Sequence, residues 1–191
     1  VASPQNVVLA ALLEGPSHCY EVNKRVRERL GGDAISAYKV IGRMEQTGLV
    51  EEIDVRAGSG GRTAQVVYAV TDAGARRHAS WMRSPLPDLE AGTELTTRMR
   101  FARPEDLPSL LNVAEAALND LHARLAAAQA AQQRRREQRT RPLRNQRPTA
   151  REVADLLAEQ LLNDVLLLQI KWLGRATVDL EQLLLDNAPK G

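Results

Sequence analysis

Apolar residues recur along this chain at helical spacing, and the places where that spacing breaks mark its organisation. Val7, Val8, Ala11 and Leu12 put an apolar face on a first helix, opened by Ser3-Pro4 and ended by Gly15-Pro16. Serine caps a helix through its hydroxyl, and proline suits the first turn, where its missing N–H costs nothing. Tyr20, Val22, Val26 and Leu30 supply the buried side of a second helix. Ser17 is its expected cap, and Glu21 stands where it would complete a capping box. Gly31-Gly32 ends it. In residues 35–50, ISAYKVIGRMEQTGLV, the apolar Val40, Ile41 and Met44 fall on one side of a third helix. Ser36 is in position to cap it, and Ala37, Lys39, Gly42, Arg43 and Gln46 form a short, polar and basic opposite face. Gly48 then stops the helix, because glycine takes a left-handed conformation without a Cβ penalty. Two helices joined by a short turn, with a polar and basic face on the second, match helix-turn-helix spacing.

The period then changes. Residues 49–55 and 65–70 are rich in β-branched side chains and of strand length. Between them runs a glycine-rich stretch, RAGSGGRT, with Arg56 and Arg62 on its two sides. A nucleotide-binding phosphate loop is excluded, because no Lys-Ser/Thr follows the glycines and the next element is a strand. After a helix-turn-helix, this hairpin reads as a two-stranded wing whose arginines reach backbone phosphates. Thr71, followed by Asp72, caps a fourth helix that runs through Trp81, and Ser84-Pro85-Leu86-Pro87 breaks it. The domain boundary falls there, dividing residues 1–84 from residues 85–191.

The second half is helical by pattern. Residues 94–103 predict a short helix with Leu95, Met99 and Phe101 as its apolar positions. Pro104-Glu105-Asp106 is a helix-start signal, followed by a stripe through Leu107, Leu110, Leu111, Ala114, Leu118, Leu121 and Leu125. The arginines from Arg134 to Arg147, interrupted by Pro142 and Pro148, read as a solvated helix end and connector, with a nucleic-acid arm as the alternative. Thr149 and Glu152 form a capping box for a long last helix. Its apolar band is wide enough to leave little polar surface, which requires burial on more than one side. The preceding stripe covers one side. A partner chain is expected on the other, making a homodimer through Leu161, Val165, Leu168 and Trp172. The fold class is therefore mostly α: an N-terminal winged helix-turn-helix followed by a long-helix dimerisation domain.

Composition adds limits. Of 191 residues, 43% are hydrophobic but only 3% aromatic, which favours helices packed on helices over a β-sandwich. A formal net charge of +2 is too small to establish a nucleic-acid partner, so its distribution matters more. The single cysteine, Cys19, cannot form an intramolecular disulfide and fits a reducing, cytoplasmic setting. No signal peptide is visible, and no apolar run is long enough to span a membrane. His18, His78 and His122 lie far apart, and no metalloprotease, Cys-x-x-Cys or nucleophile-elbow motif occurs. No enzyme, cofactor or metal is expected. A thiol or metal sensor through Cys19 stays as an alternative, since a thiol near a helix N-terminus gains thiolate character.

Three stretches resemble the PadR family of bacterial transcriptional regulators. They are GPSHCYEV at residues 15–22, residues 38–50 with Arg43, Glu45, Gly48 and Leu49, and YAVTDAG at residues 68–74. The last is similar to the family's Tyr-x-Leu-Thr-x-x-Gly strand-to-helix step. Together they span residues 7–82. The chain departs from the pattern at Cys19, where the family usually has glycine, and at Lys39, where many members have proline. The resemblance implies a winged helix-turn-helix, usually dimeric through its C-terminal helices, that represses a neighbouring gene until a small molecule or stress signal releases it. It implies that Ser36, Ala37, Tyr38, Lys39 and Arg43 face the major groove of a double-stranded operator or its phosphates. Lys39 adds a charge, so no operator sequence carries over. For Tyr38 the alternative is a half-buried core position, and for Arg43 a salt bridge to Glu45, Glu51 or Glu52. A dimer would hold two recognition helices about 34–36 Å apart. A small aromatic or hydrophobic effector would alter that spacing from a site at Trp172, with Leu168 and Trp81. The alternatives are plain dimer core for Trp172 and packing between the two halves for Trp81. A protein-interaction scaffold is the competing function.

Overall fold

The structure, a computed structural model, describes residues 3–31, 36–56, 65–88, 90–139 and 149–187. Its elements are α1 (Pro4–Leu13), β1 (Ser17–His18), α2 (Cys19–Leu30), α3 (Ala37–Gln46), β2 (Val50–Arg56), β3 (Gln65–Val70), α4 (Asp72–Arg83), α5 (Ala91–Phe101), a 3-10 turn (Pro104–Asp106), α6 (Leu107–Arg139) and α7 (Ala150–Asp186). The mostly helical winged architecture expected from the pattern is borne out. The wing has one strand more than expected, since the sheet is antiparallel in the order β1-β3-β2.

The added strand corrects the reading of Ser17. Ser17 pairs with Tyr68 in the sheet and does not cap α2. His18 caps it instead, its Nδ1 accepting the Glu21 N–H at 3.2 Å. On the other side of β3, β2 is an outer strand with a register shift between Glu52 and Asp54. Its Glu51, Glu52, Ile53, Asp54 and Val55 are all exposed.

α1 lies at the centre of the N-terminal half. Val7 to Leu12 are all buried, and the helix packs on α2, α3, α4 and β3. One apolar cluster continues from there through Leu95, Phe101 and Leu110 to Leu173 and Leu180. The Thr149–Glu152 capping box forms as expected at the start of α7. Arg135, late in α6, pairs with Glu159, early in α7, so the two long helices run in opposite directions.

Polar clasps join the two halves within this core. The Trp81 indole N–H donates to Glu94 Oε1 at 2.7 Å, and Arg98 Nε donates to the same oxygen at 3.1 Å. The Arg98 guanidinium also donates to the Ser84 carbonyl at 2.6 Å and to Ser84 Oγ at 2.9 Å. Arg100 donates to the Arg29 carbonyl at 2.6 Å, and Arg29 donates back to the Arg100 carbonyl, tying α2 to α5.

His78, on α4, is completely buried against Asp106, with Nε2 and Oδ2 3.4 Å apart and no partner for Nδ1 among the described residues. Burial holds the imidazole below its ordinary pKa, although Asp106 pulls the other way. For Asp106, burial alone would raise the carboxyl, but the backbone and side chain of Arg103 outweigh it and hold it low. The unfolded chain therefore binds protons first. Stability is full above the unfolded histidine value of about 6.5 and declines as the pH falls below it, with Asp106 adding to the loss below about 4. Urea midpoints should drop between pH 7.5 and pH 5.5 in the native protein, and His78→Gln should flatten that drop. An equal drop in the variant would place the titration elsewhere.

Candidate nucleic-acid interface

α3 is amphipathic by its own sequence. Ala37, Ile41 and Met44 are buried to within 1%, and Val40 is half-buried beside them. Lys39, Gly42 and Gln46 share the middle of the opposite face, with Tyr38 and Glu45 on one flank and Arg43 on the other. All six are exposed. Tyr38 is 63% exposed, which takes it out of the core and leaves it on this surface. Ala37 is the correction among the predicted contacts. Its methyl lies in the core cluster with no exposed surface, so it cannot reach a groove.

Each end of the helix is fixed differently. At the C-terminal end Gly48, with φ +70°, lets the Gly48 N–H reach the Glu45 carbonyl and the Leu49 N–H reach that of Met44. This is the left-handed closure that leaves few orphan carbonyls. Thr71 locks that exit to α4: its Oγ1 donates to the Gly48 carbonyl at 2.6 Å and accepts the Gly74 N–H at 3.1 Å. At the N-terminal end Ser36 occupies the cap position, but its side chain makes no capping bond. The Ala37 N–H goes instead to Asn23 Oδ1 on α2, at 2.7 Å. Sequence reasoning missed Asn23, whose only signal is an amide side chain inside a helix, where it gains little unless it bonds elsewhere.

Charge separates along this surface. Among the described residues, neither Lys39 nor Arg43 has a carboxylate within ion-pair distance, so the expected alternative of an Arg43 bridge to Glu45, Glu51 or Glu52 is not formed. The α2 arginines differ. Arg25 donates to the carbonyls of Ala11 and Gly15, and Arg29 pairs with Glu14 at 2.8 Å. They brace the fold. Arg56 closes the β2–β3 ladder opposite Gln65, and Arg62 lies outside the described residues.

The sensor alternative loses its footing at Cys19. Burial pushes the thiol up, against the small lowering by its backbone hydrogen bond. No group of three or more metal-ligating side chains occurs among the described residues. No helix among them is long and apolar enough to cross a membrane.

Of the predicted effector residues, Trp172 and Leu168 line a cavity of about 690 Å³ between α5 and α7, with Thr93, Thr96 and Arg100 among its walls. A Cβ on Gly92 would sit 3.5 Å from the Trp172 ring, in ordinary van der Waals contact, so α5 passes directly beneath the indole. Trp81 does not line this cavity. It is buried against Glu94 and Arg98, and its role is in the joint between the halves. On α7, Leu161 is 65% exposed, Leu168 68%, Trp172 40% and Val165 38% in the single chain.

Residues 8–80 match the family model described as the transcriptional regulator PadR-like family. No curated protein matches the sequence. Among solved structures, the chain is similar to Bacillus subtilis PadR in complex with operator DNA. The identity is 14% and the TM-score 0.38, covering 92% of this chain and 98% of that one. It is also similar to smu.1604c from Streptococcus mutans UA159, with 15% identity and a TM-score of 0.40, covering 96% of this chain and 99% of that one. At these scores neither likeness adds to the architecture described above.

Proposed function

From the match of residues 8–80 to the PadR-like family of transcriptional regulators, we propose that this chain is a dimeric, sequence-specific DNA-binding repressor released by a small aromatic or hydrophobic molecule. The observation that carries this reading is the face of α3. Lys39 and Arg43 stand exposed, without carboxylate partners among the described residues, on a helix fixed at both ends. Unpaired cations on a rigid helix are free to replace counterions along a phosphate backbone, whereas paired ones would have to break a bond first. At Gly42 even an added methyl would meet nothing within 4 Å, so the centre of the face is low enough for base edges to approach.

The dimer rests on α7. Leu161, Val165, Leu168 and Trp172 form an exposed apolar row beyond what scattered surface leucines present. A second copy is the proposed cover. The helical half, residues 85–191, serves as the dimerisation and effector unit, and the winged half, residues 1–84, as the reader. The cavity at Trp172 takes the effector, which shifts the balance between DNA-competent and released forms only by its differential affinity for them.

Selection from a random pool of DNA duplexes, followed by fluorescence anisotropy across a salt series, tests the reading. An enriched sequence, bound more tightly than a scrambled control and weakening steeply with salt, is the expected result. Arg43→Ala should then cost about 1–3 kcal/mol and relax preference at one base pair, while Lys39→Ala should weaken all duplexes alike and reduce the salt slope by about one. No enrichment at any salt would return the winged half to a protein partner. Sedimentation at micromolar concentration reads the dimer.

A further inference from the structure

We propose that Asn23, on α2, is the positioning residue for the DNA-reading helix, setting its orientation from the neighbouring helix. The inference rests on the DNA-binding reading above and goes beyond it.

The first N–H groups of a helix have no partners within it; a capping side chain just before it meets the second or third of them, and the first needs a partner from elsewhere. Ser36 has the right chemistry and an extended backbone, φ −100° and ψ 105°, yet its hydroxyl makes no such bond. The first N–H of α3, that of Ala37, is held at 2.7 Å by the Asn23 side chain. That distance is at the short end of the N–H···O range. One consequence follows from geometry. The start of α3 is tied to α2, so the crossing of the two helices is fixed at the end where a reading helix approaches base edges. The completely buried Ala37 methyl supplies a second restraint at the same point. The exposed Ser36 hydroxyl stands beside this tie and makes no capping bond of its own.

A cap bond of this kind affects specificity more than bulk attraction. Counterion release needs only nearby cations, whereas base reading needs the helix within a fraction of an ångström of one pose. The test compares the native protein with Asn23→Ala, Asn23→Gln and Asn23→Asp on the selected duplex and on a scrambled one. The ratio of the two affinities should fall about tenfold in Asn23→Ala. Asn23→Gln keeps the amide but carries it one methylene too far, and should fall with it. Asn23→Asp keeps an acceptor in place and should retain the ratio, although repulsion from phosphates lowers both affinities. Hydrogen exchange at the Ala37 amide should quicken in Asn23→Ala and Asn23→Gln and stay slow in Asn23→Asp. Asn23→Ala with an unchanged ratio and unchanged Ala37 protection would overturn the inference alone. A native protein with no preference for any duplex would overturn both the inference and the DNA-binding reading.

Discussion

Arg98→Ala is expected to destabilise the protein by about 3–5 kcal/mol, the range typical of removing one partner from a buried ion pair. Arg98 is 2% exposed and Glu94 5%. Without the guanidinium, the Glu94 carboxylate keeps, among the described residues, the Trp81 indole N–H alone, and the Ser84 carbonyl and hydroxyl lose their Arg98 donors. A carboxylate left in that position carries its desolvation cost with little return. Arg98→Lys should recover only part of the loss, because an ammonium cannot reach Glu94 and the Ser84 carbonyl in the same fork geometry. Chemical denaturation with tryptophan fluorescence measures both variants, and Trp81 reports the joint directly. Because one apolar cluster runs through both halves, the transition should remain single rather than split in two. A loss below about 1 kcal/mol would mean that water or a shifted loop replaces the guanidinium.

Gly74→Ala is the second large effect. A methyl there would lie 2.1 Å from the Leu49 carbonyl oxygen and 2.7 Å from Val70 Cγ1. The first contact is backbone, so the strand entering the wing must move. The expected cost is about 3 kcal/mol, at the upper end of what overpacking usually imposes. Leu49 follows directly on the turn that closes α3, so the folded fraction should also lose affinity for the selected duplex. Gly42→Ala is the matched control. Its methyl meets nothing within 4 Å, and alanine in a helix interior gains up to about 1 kcal/mol over glycine. Stability should rise while the methyl crowds the reading face. Thermal unfolding and anisotropy together separate the two glycines: one variant is unstable and binds poorly, the other is stable and binds poorly.

Much of this molecule was legible because its signals are local. The stripe of α3, the Gly48 exit and the Thr149–Glu152 box are each settled by residues within a turn or two of one another. The features that were not legible depend on partners far along the chain. Ser17 looks like a cap until Tyr68, on β3, is placed beside it. Ala37 shares the helical period of Ile41 and Met44, four and seven residues on, so its burial was legible, but its small side chain beside Ser36 was set with the polar face instead. Trp81 is a large apolar ring with a polar N–H, and its place depends on where Glu94 arrives. Asn23 is the clearest case, since nothing in its own helix explains it. Its partner is on the next one. At Cys19 a helix-terminus argument pointed toward the thiolate, and burial outweighed it.

The outer strand β2 has a consequence for how copies of this protein can meet. A free strand edge offers a row of backbone donors and acceptors on which a second sheet can grow. Here the edge is kinked by the register shift at Glu52 and Asp54 and studded with three exposed carboxylates. Two such edges brought together would set like charges face to face, with their hydrogen-bonding rows out of step. The wing thus resists polymerising through its sheet, even though Ile53 and Val55 lie open on it. The wing edge leaves the proposed association between copies to α7, and the strand nearest α3 stays single.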